Sequence, residues 1–209
     1  MLTLQYNAGT NSSLTSAAAA TNVFAKSWAQ GNSFTKAFSA GARTVAPGFL
    51  SADAVYSKWL NTLRATQQPN FVPFNPFSGF ETIGATEYVN YMLLQSDPGN
   101  GDGTGRFLGL FEAWPQSMDA SFTRLRGRGA FIVSSSFSKA SKSVGTTTIE
   151  SRRGGRCVLR RPQSWSKAAL KVKGGAAGKA VDVTWFGRGG DEFFSFATSK
   201  GVTYTLQGK

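Results

Sequence analysis

Asp97-Pro98-Gly99-Asn100-Gly101-Asp102-Gly103-Thr104-Gly105 is the stretch whose reading decides the fold. Glycine, proline, asparagine and aspartate at this density make a turn cluster, because these residues accept the backbone angles that regular elements exclude. The two sides of the cluster differ in period. Upstream, apolar residues recur at spacings of three and four, as on a helix. Downstream of Arg106 the apolar runs are short, β-rich and punctuated by Gly or Ser, as in an antiparallel sandwich.

The upstream half carries four helical segments. Leu14, Ala18, Thr21, Ala25 and Trp28 line one face of the first, and Gly31 stops it. A second spans Ser33 to Ala42, and Pro47-Gly48 breaks the chain after it. Ser51 can cap a third, with Asp53 in its first turn and Val55, Trp59, Leu60 and Leu63 as its apolar stripe. Gln68 to Gly79 reads as an ordered aromatic loop. A fourth helix runs from about Thr82 to Gln95, with Ala85, Val89, Met92 and Leu93 inward. Downstream, strands are expected at Arg106–Phe111, Ala130–Ser136, Gly145–Ser151, Arg156–Arg160, Ala169–Val172, Ala180–Trp185, Phe193–Thr198 and Val202–Leu206. The expected class is therefore α+β, with a helical segment over 1–96 and a basic β-sandwich over 106–209.

Charge follows the same division. Residues 1–119 hold 6 Lys and Arg against 7 Asp and Glu; residues 120–209 hold 17 against 4. Such a shift within one chain suggests two domains. No histidine occurs, which removes a Ser-His-Asp triad, a Cys-His dyad and most zinc sites. The single cysteine, Cys157, forbids an internal disulfide and reads as a buried apolar residue. No apolar run approaches the ~18 residues of a membrane span, so no membrane partner is expected. Met1 to Thr21 lacks the basic and apolar regions of a signal peptide. Gly101, Gly103 and Gly105 follow a helix and precede a strand, the reverse of a phosphate loop, and read as a connector.

Several segments, in order, resemble glycoside hydrolase family 95. Phe77-Ser78-Gly79-Phe80-Glu81-Thr82-Ile83-Gly84-Ala85-Thr86-Glu87, running into Met92-Leu93-Leu94-Gln95-Ser96, resembles that family's "GxxGATE…MLLQSH" segment. Leu108-Gly109-Leu110-Phe111-Glu112-Ala113-Trp114-Pro115 is similar to its "I.LLPAWP" strand, and Leu125-Arg126-Gly127-Arg128-Gly129-Ala130-Phe131 to "LRARGGF". Gly154-Gly155-Arg156-Cys157-Val158-Leu159-Arg160 resembles "GGPCRLR", and the close of the chain, through Phe196-Ala197-Thr198 and Thr203-Tyr204-Thr205-Leu206, resembles "FATEAGxTYTL". The resemblance covers roughly Trp28 to Leu206. It implies the last helices of an (α/α)6 barrel followed by the C-terminal sandwich of an inverting α-L-fucosidase-like enzyme. It implies a fucosylated or related glycan as ligand, no cofactor and no metal. The missing barrel helices would come from an N-terminal region or a partner chain, and full-length relatives are expected to be secreted.

The resemblance also places the chemistry. Inverting hydrolysis needs an acid and a base about 6.5–9.5 Å apart. The segment that supplies the family's acid has no counterpart here. The family's base-side aspartate aligns without gaps on Phe80, and Glu81 is its neighbour and the candidate catalytic residue. Asn75, in the same loop, and Glu87 are candidate substrate contacts; turn chemistry and a helix-surface ion pair explain them as well. Trp165, in a polar loop, is the candidate exposed ring for stacking on a sugar, whereas Trp28, Trp59, Trp114 and Trp185 read as core.

Two other functions fit the same residues. One is a non-catalytic carbohydrate-binding or accessory protein. The other is a basic polyanion-binding protein. Arg124, Arg126 and Arg128 alternate and on one strand would share a face, and Arg152, Arg153, Arg156, Arg160 and Arg161 add to that region. Apart from Phe131 and Trp165, few aromatics beside them could stack on bases, so nucleic acid is the less favoured partner.

Overall fold

The computed structural model describes residues 51–66, 80–97, 107–188 and 191–208. The chain divides into two compact units, one built around the helices and one around the sheets. The first ends at Met92 and also takes Ala113–Pro115; the second takes Leu93–Glu112 and Gln116 onward. The expected helices at 14–28 and 33–42 lie outside the described residues, as does Asn75.

In the helical unit, α1 spans Ala52–Thr66 and α2 spans Phe80–Leu93. Ser51 starts α1 as expected: its Oγ accepts the Ala54 N–H at 3.1 Å, satisfying one of the donors a helix start leaves open. Asp53 sits in the first turn and Arg64 in the last, each complementing the helix dipole. Val55, Trp59 and Leu63 recur every four residues and form the inward stripe of α1. They share one core with Tyr88, Val89 and Met92 of α2 and with Ala113 and Trp114. Val55, Tyr88 and Met92 are almost fully buried, and burial of the apolar Val55 and Met92 side chains stabilises by roughly 1.5–3 kcal/mol each. Burial also pushes the Tyr88 hydroxyl well above its ordinary pKa, with Tyr56 adding to the shift. The fourth helix, expected to reach Gln95, ends at Leu93, and the next four residues begin the β unit instead.

The β unit holds two sheets. In the first, β1 (Leu94–Asp97), β2 (Phe107–Leu110), β7 (Gly155–Arg160), β11 (Asp191–Thr198) and β10 (Thr184–Arg188) are neighbours in that order. In the second the order is β3 (Ala120–Gly127), β4 (Phe131–Ser138), β6 (Thr147–Ser151), β12 (Thr203–Gln207), β8 (Lys171–Gly174) and β9 (Lys179–Ala180), with β5 (Ser143–Val144) paired on β4. All pairs are antiparallel except β2 with β7. The expected strand at Ala180–Trp185 is divided between β9 and β10.

Alternation along each strand decides which face is inside. Phe131, Val133 and Phe137 on β4, Ile149 on β6, Tyr204 and Leu206 on β12 and Val172 on β8 are buried. Facing them from the first sheet are Leu108, Leu110, Cys157, Leu159, Phe194 and Phe196. The Phe196 and Tyr204 rings meet across the core at 5.3 Å, and Phe111 packs on Phe122 and Phe137. Inward hydroxyls are paired, as burial requires: Ser135 with Thr147 at 2.7 Å, and Ser151 with Thr198 at 2.9 Å. Two sheets with a shared apolar interior make a sandwich.

One irregularity reorients the arginines of β3. Between Phe122 and Leu125 the register of β3 on β4 shifts, so that Thr123 and Arg124 oppose Ser134 alone. Arg124 takes the left-handed conformation, φ 61°, and its N–H is held by Ser134 Oγ at 2.9 Å. This is a β-bulge. Without it, Arg124 and Arg126 would point to the same side as buried Phe122. The extra residue inverts the phase, so Gly127 faces inward and Arg126 faces solvent.

Candidate functional site

The two candidate carboxylates of the helical unit lie on one element. Glu81 and Glu87 both belong to α2. Six residues of helix separate them by about 9 Å along the axis and about 120° around it. Glu87 is exposed. Two groups on one short helix do not face each other across a sugar ring, which the acid and base of an inverting hydrolase must do.

Among the described residues of the β unit, all but one of the placed carboxylates are engaged in ion pairs. Glu112 takes Arg160 at 2.7 Å, and the same guanidinium reaches Asp191 at 3.2 Å. Glu192 takes Arg161 at 2.6 Å and Lys167 at 2.5 Å. The hydrogen bond from Lys167, joined by that from Arg161, holds the Glu192 carboxyl below its ordinary value against partial desolvation. A general acid needs the opposite shift. Glu150 takes Arg152 at 2.8 Å and Arg124 at 3.4 Å, and Asp119 lies 3.9 Å from Lys139. Of the described carboxylates in this unit whose side chains are placed, Asp182 alone has no ion pair, and it is exposed. Among the described residues no group of three His, Cys, Asp or Glu side chains could hold a metal.

Trp165 is buried, not exposed as expected. Its polar local sequence suggests an exposed ring, yet it is 2% exposed. Its indole N–H donates to the Val144 carbonyl at 2.9 Å, and its ring packs against Phe194. Gly208 lies so close that a Cβ there would overlap the indole. A ring enclosed in this way offers no face to a sugar.

The arginines are divided between two faces rather than gathered in one region. Arg156 and Arg160 lie on the outer side of the first sheet, among rings that the sequence did not show to be neighbours. Arg160 covers Phe107 and Phe193 at 4.7 and 5.6 Å, and Arg156 lies 5.5 Å from the Phe186 ring and donates to Ser195. Phe186 stacks on Phe193 at 5.6 Å. Aromatic rings do accompany arginines here, contrary to the sequence reading. The guanidinium of Arg160 and the neighbouring rings already cover Phe193, which is 5% exposed. Arg161 is tied to Glu192 and to the Trp165 carbonyl.

The second sheet carries the open basic face. Arg124, Arg126 and Arg128 are all exposed, as expected, although the bulge rather than simple alternation places them so. Arg126 stands in register with Ile132, Glu150 and Thr203 on successive strands. Arg124 reaches over β4 to Glu150, and Arg152, two residues beyond Glu150, closes on the same carboxylate.

Comparison with protein-family models finds no match to this chain, and comparison with curated proteins finds none.

Proposed function

We propose that this chain is the C-terminal portion of a glycoside hydrolase resembling family 95, comprising the last helices of a helical barrel and an accessory β-sandwich, and that it does not hydrolyse glycosides by itself. The observation that carries the second half of this reading is the placement of its carboxylates. Glu81 and Glu87 share one helix, and among the described residues of the β unit the acidic side chains are paired with Arg or Lys, Asp182 excepted. The Glu192 carboxyl, hydrogen-bonded by Lys167 and Arg161, lies below its ordinary value, the reverse of what a general acid needs. The first half rests on the order of the resembling segments, and the change from helix to strand at Leu93 and Leu94 accords with it.

The test of the first half is the coding sequence upstream of Met1, followed by expression of the joined product. Upstream sequence with barrel-type helical hairpins, and fucosidase activity in the joined protein, are expected. A stop codon or an unrelated domain upstream would overturn the reading.

A further inference from the structure

We propose that the outer face of the second sheet binds an anionic glycan, a chain of uronate or sulfated sugars lying across the strands. This goes beyond the reading above and does not depend on it, since the surface belongs to the sandwich alone.

The face is built by register. Ser134, Thr148, Thr205 and Lys173 are cross-strand partners on β4, β6, β12 and β8, and the Arg124 bulge closes the row on β3. At about 4.8 Å between strands, this row runs for roughly 19 Å. It is long enough for several sugar residues. Cations stand at both ends, with hydroxyls between them. Arg124, Arg126 and Arg152 hold one end, Lys171 and Lys173 the other, and all five are exposed. Among the described residues of β3, β4, β6, β8, β9 and β12, Glu150 is the one carboxylate.

Glu150 does not cancel the patch; it organises it. Its two oxygens take one contact each from Arg152 and Arg124. Each guanidinium carries five N–H donors in a planar fork. One nitrogen of each fork meets Glu150, Nη1 of Arg124 and Nε of Arg152, and the shared carboxylate brings the two forks side by side. Guanidinium forks suit carboxylate or sulfate oxygens, which accept two parallel hydrogen bonds. The hydroxyls of Ser134, Thr148 and Thr205 can donate or accept, as the alternating ring hydroxyls and ether oxygens of a glycan require.

The face also discriminates against single-stranded nucleic acid. Binding of that class uses aromatic platforms on which bases stack. The outward positions of these strands are Ser, Thr, Arg, Lys, Gln, Glu, Ile and Ala, with no ring among the described residues. Among the described residues, the arginine-associated rings, Phe107, Phe186 and Phe193, are on the other sheet.

The experiment is calorimetric titration of the full chain with three probes: an oligogalacturonate, a heparin-derived oligosaccharide and an oligo-dT of similar length. Binding to at least one of the two anionic sugars is expected, weakening as salt rises because exposed charges are screened. The double variant Arg126→Ser/Lys173→Ser should weaken it at least tenfold with an unchanged urea midpoint. Arg156→Ser, on the opposite sheet, should leave it unaltered. The oligogalacturonate and heparin arms separate carboxylate from sulfate as the recognised group. No binding to either sugar would overturn the proposal. So would sugar binding that survives the double variant, or oligo-dT bound as tightly as the better sugar.

Discussion

Trp165→Ala distinguishes a structural ring from a sugar platform. The side chain is 2% exposed, so truncation removes a whole indole from the core and leaves a cavity between Phe194 and Gly208. Buried Trp→Ala changes cost about 3–5 kcal/mol. The substitution also strands the Val144 carbonyl, which now accepts the indole N–H at 2.9 Å. We expect the upper part of that range. Trp165→Phe isolates the polar component: it refills much of the space but still strands the carbonyl, at a cost of about 1–3 kcal/mol. Gly208→Ala approaches the same contact from the other side, because its new methyl would overlap the indole, and overpacking costs about 1–3 kcal/mol. Urea unfolding followed by circular dichroism should therefore order the midpoints as wild type, then Trp165→Phe, then Trp165→Ala. A Trp165→Ala chain that unfolds at the wild-type midpoint, or that loses glycan binding with its stability intact, would refute the reasoning.

Acid should weaken the Arg161–Glu192–Lys167 cluster. The folded Glu192 carboxyl lies below its ordinary value of 4.5, so its contribution is complete above that pH and is lost as the pH falls through the lowered value. Urea midpoints measured from pH 6 down to pH 3 should fall less steeply in Glu192→Gln than in the wild type; parallel curves would show that the cluster adds nothing. Cys157 is buried, and burial pushes its thiol above its ordinary pKa, so it should stay unmodified by a thiol reagent in the native protein and react once per chain in urea. Rapid native labelling would contradict the placement of β7.

Much of the fold is legible in the sequence, for identifiable reasons. Strands such as Thr147–Ser151 and Thr203–Gln207 alternate cleanly, and Ser51 announces α1 by a cap that acts within four residues. Three features were hidden because their causes are distant or irregular. Ala120–Gly127 lost its alternation to the bulge at Arg124, whose left-handed backbone is stabilised by Ser134 on the next strand. Leu94 extends the apolar run of Met92 and Leu93, so Leu94–Asp97 reads as the end of the helix, and pairing with Phe107–Leu110 makes it a strand. Trp165 sits in a polar local sequence, while what buries it, Val144, Phe194 and Gly208, comes from three remote segments. The candidate site was less legible still. A sequence shows which residues are charged, but the division of arginines between paired and open faces depends on sheet register.

Release of free fucose tests most directly whether this chain has a hydrolytic centre of its own. The purified chain is incubated with an aryl α-L-fucoside and with an α-1,2-linked fucosyl glycan, beside Glu81→Gln and Glu87→Gln. The expected result is no turnover above the uncatalysed rate in any of the three. Turnover in the wild type that disappears in Glu81→Gln would contradict the proposed inactivity and make Glu81 the catalytic residue.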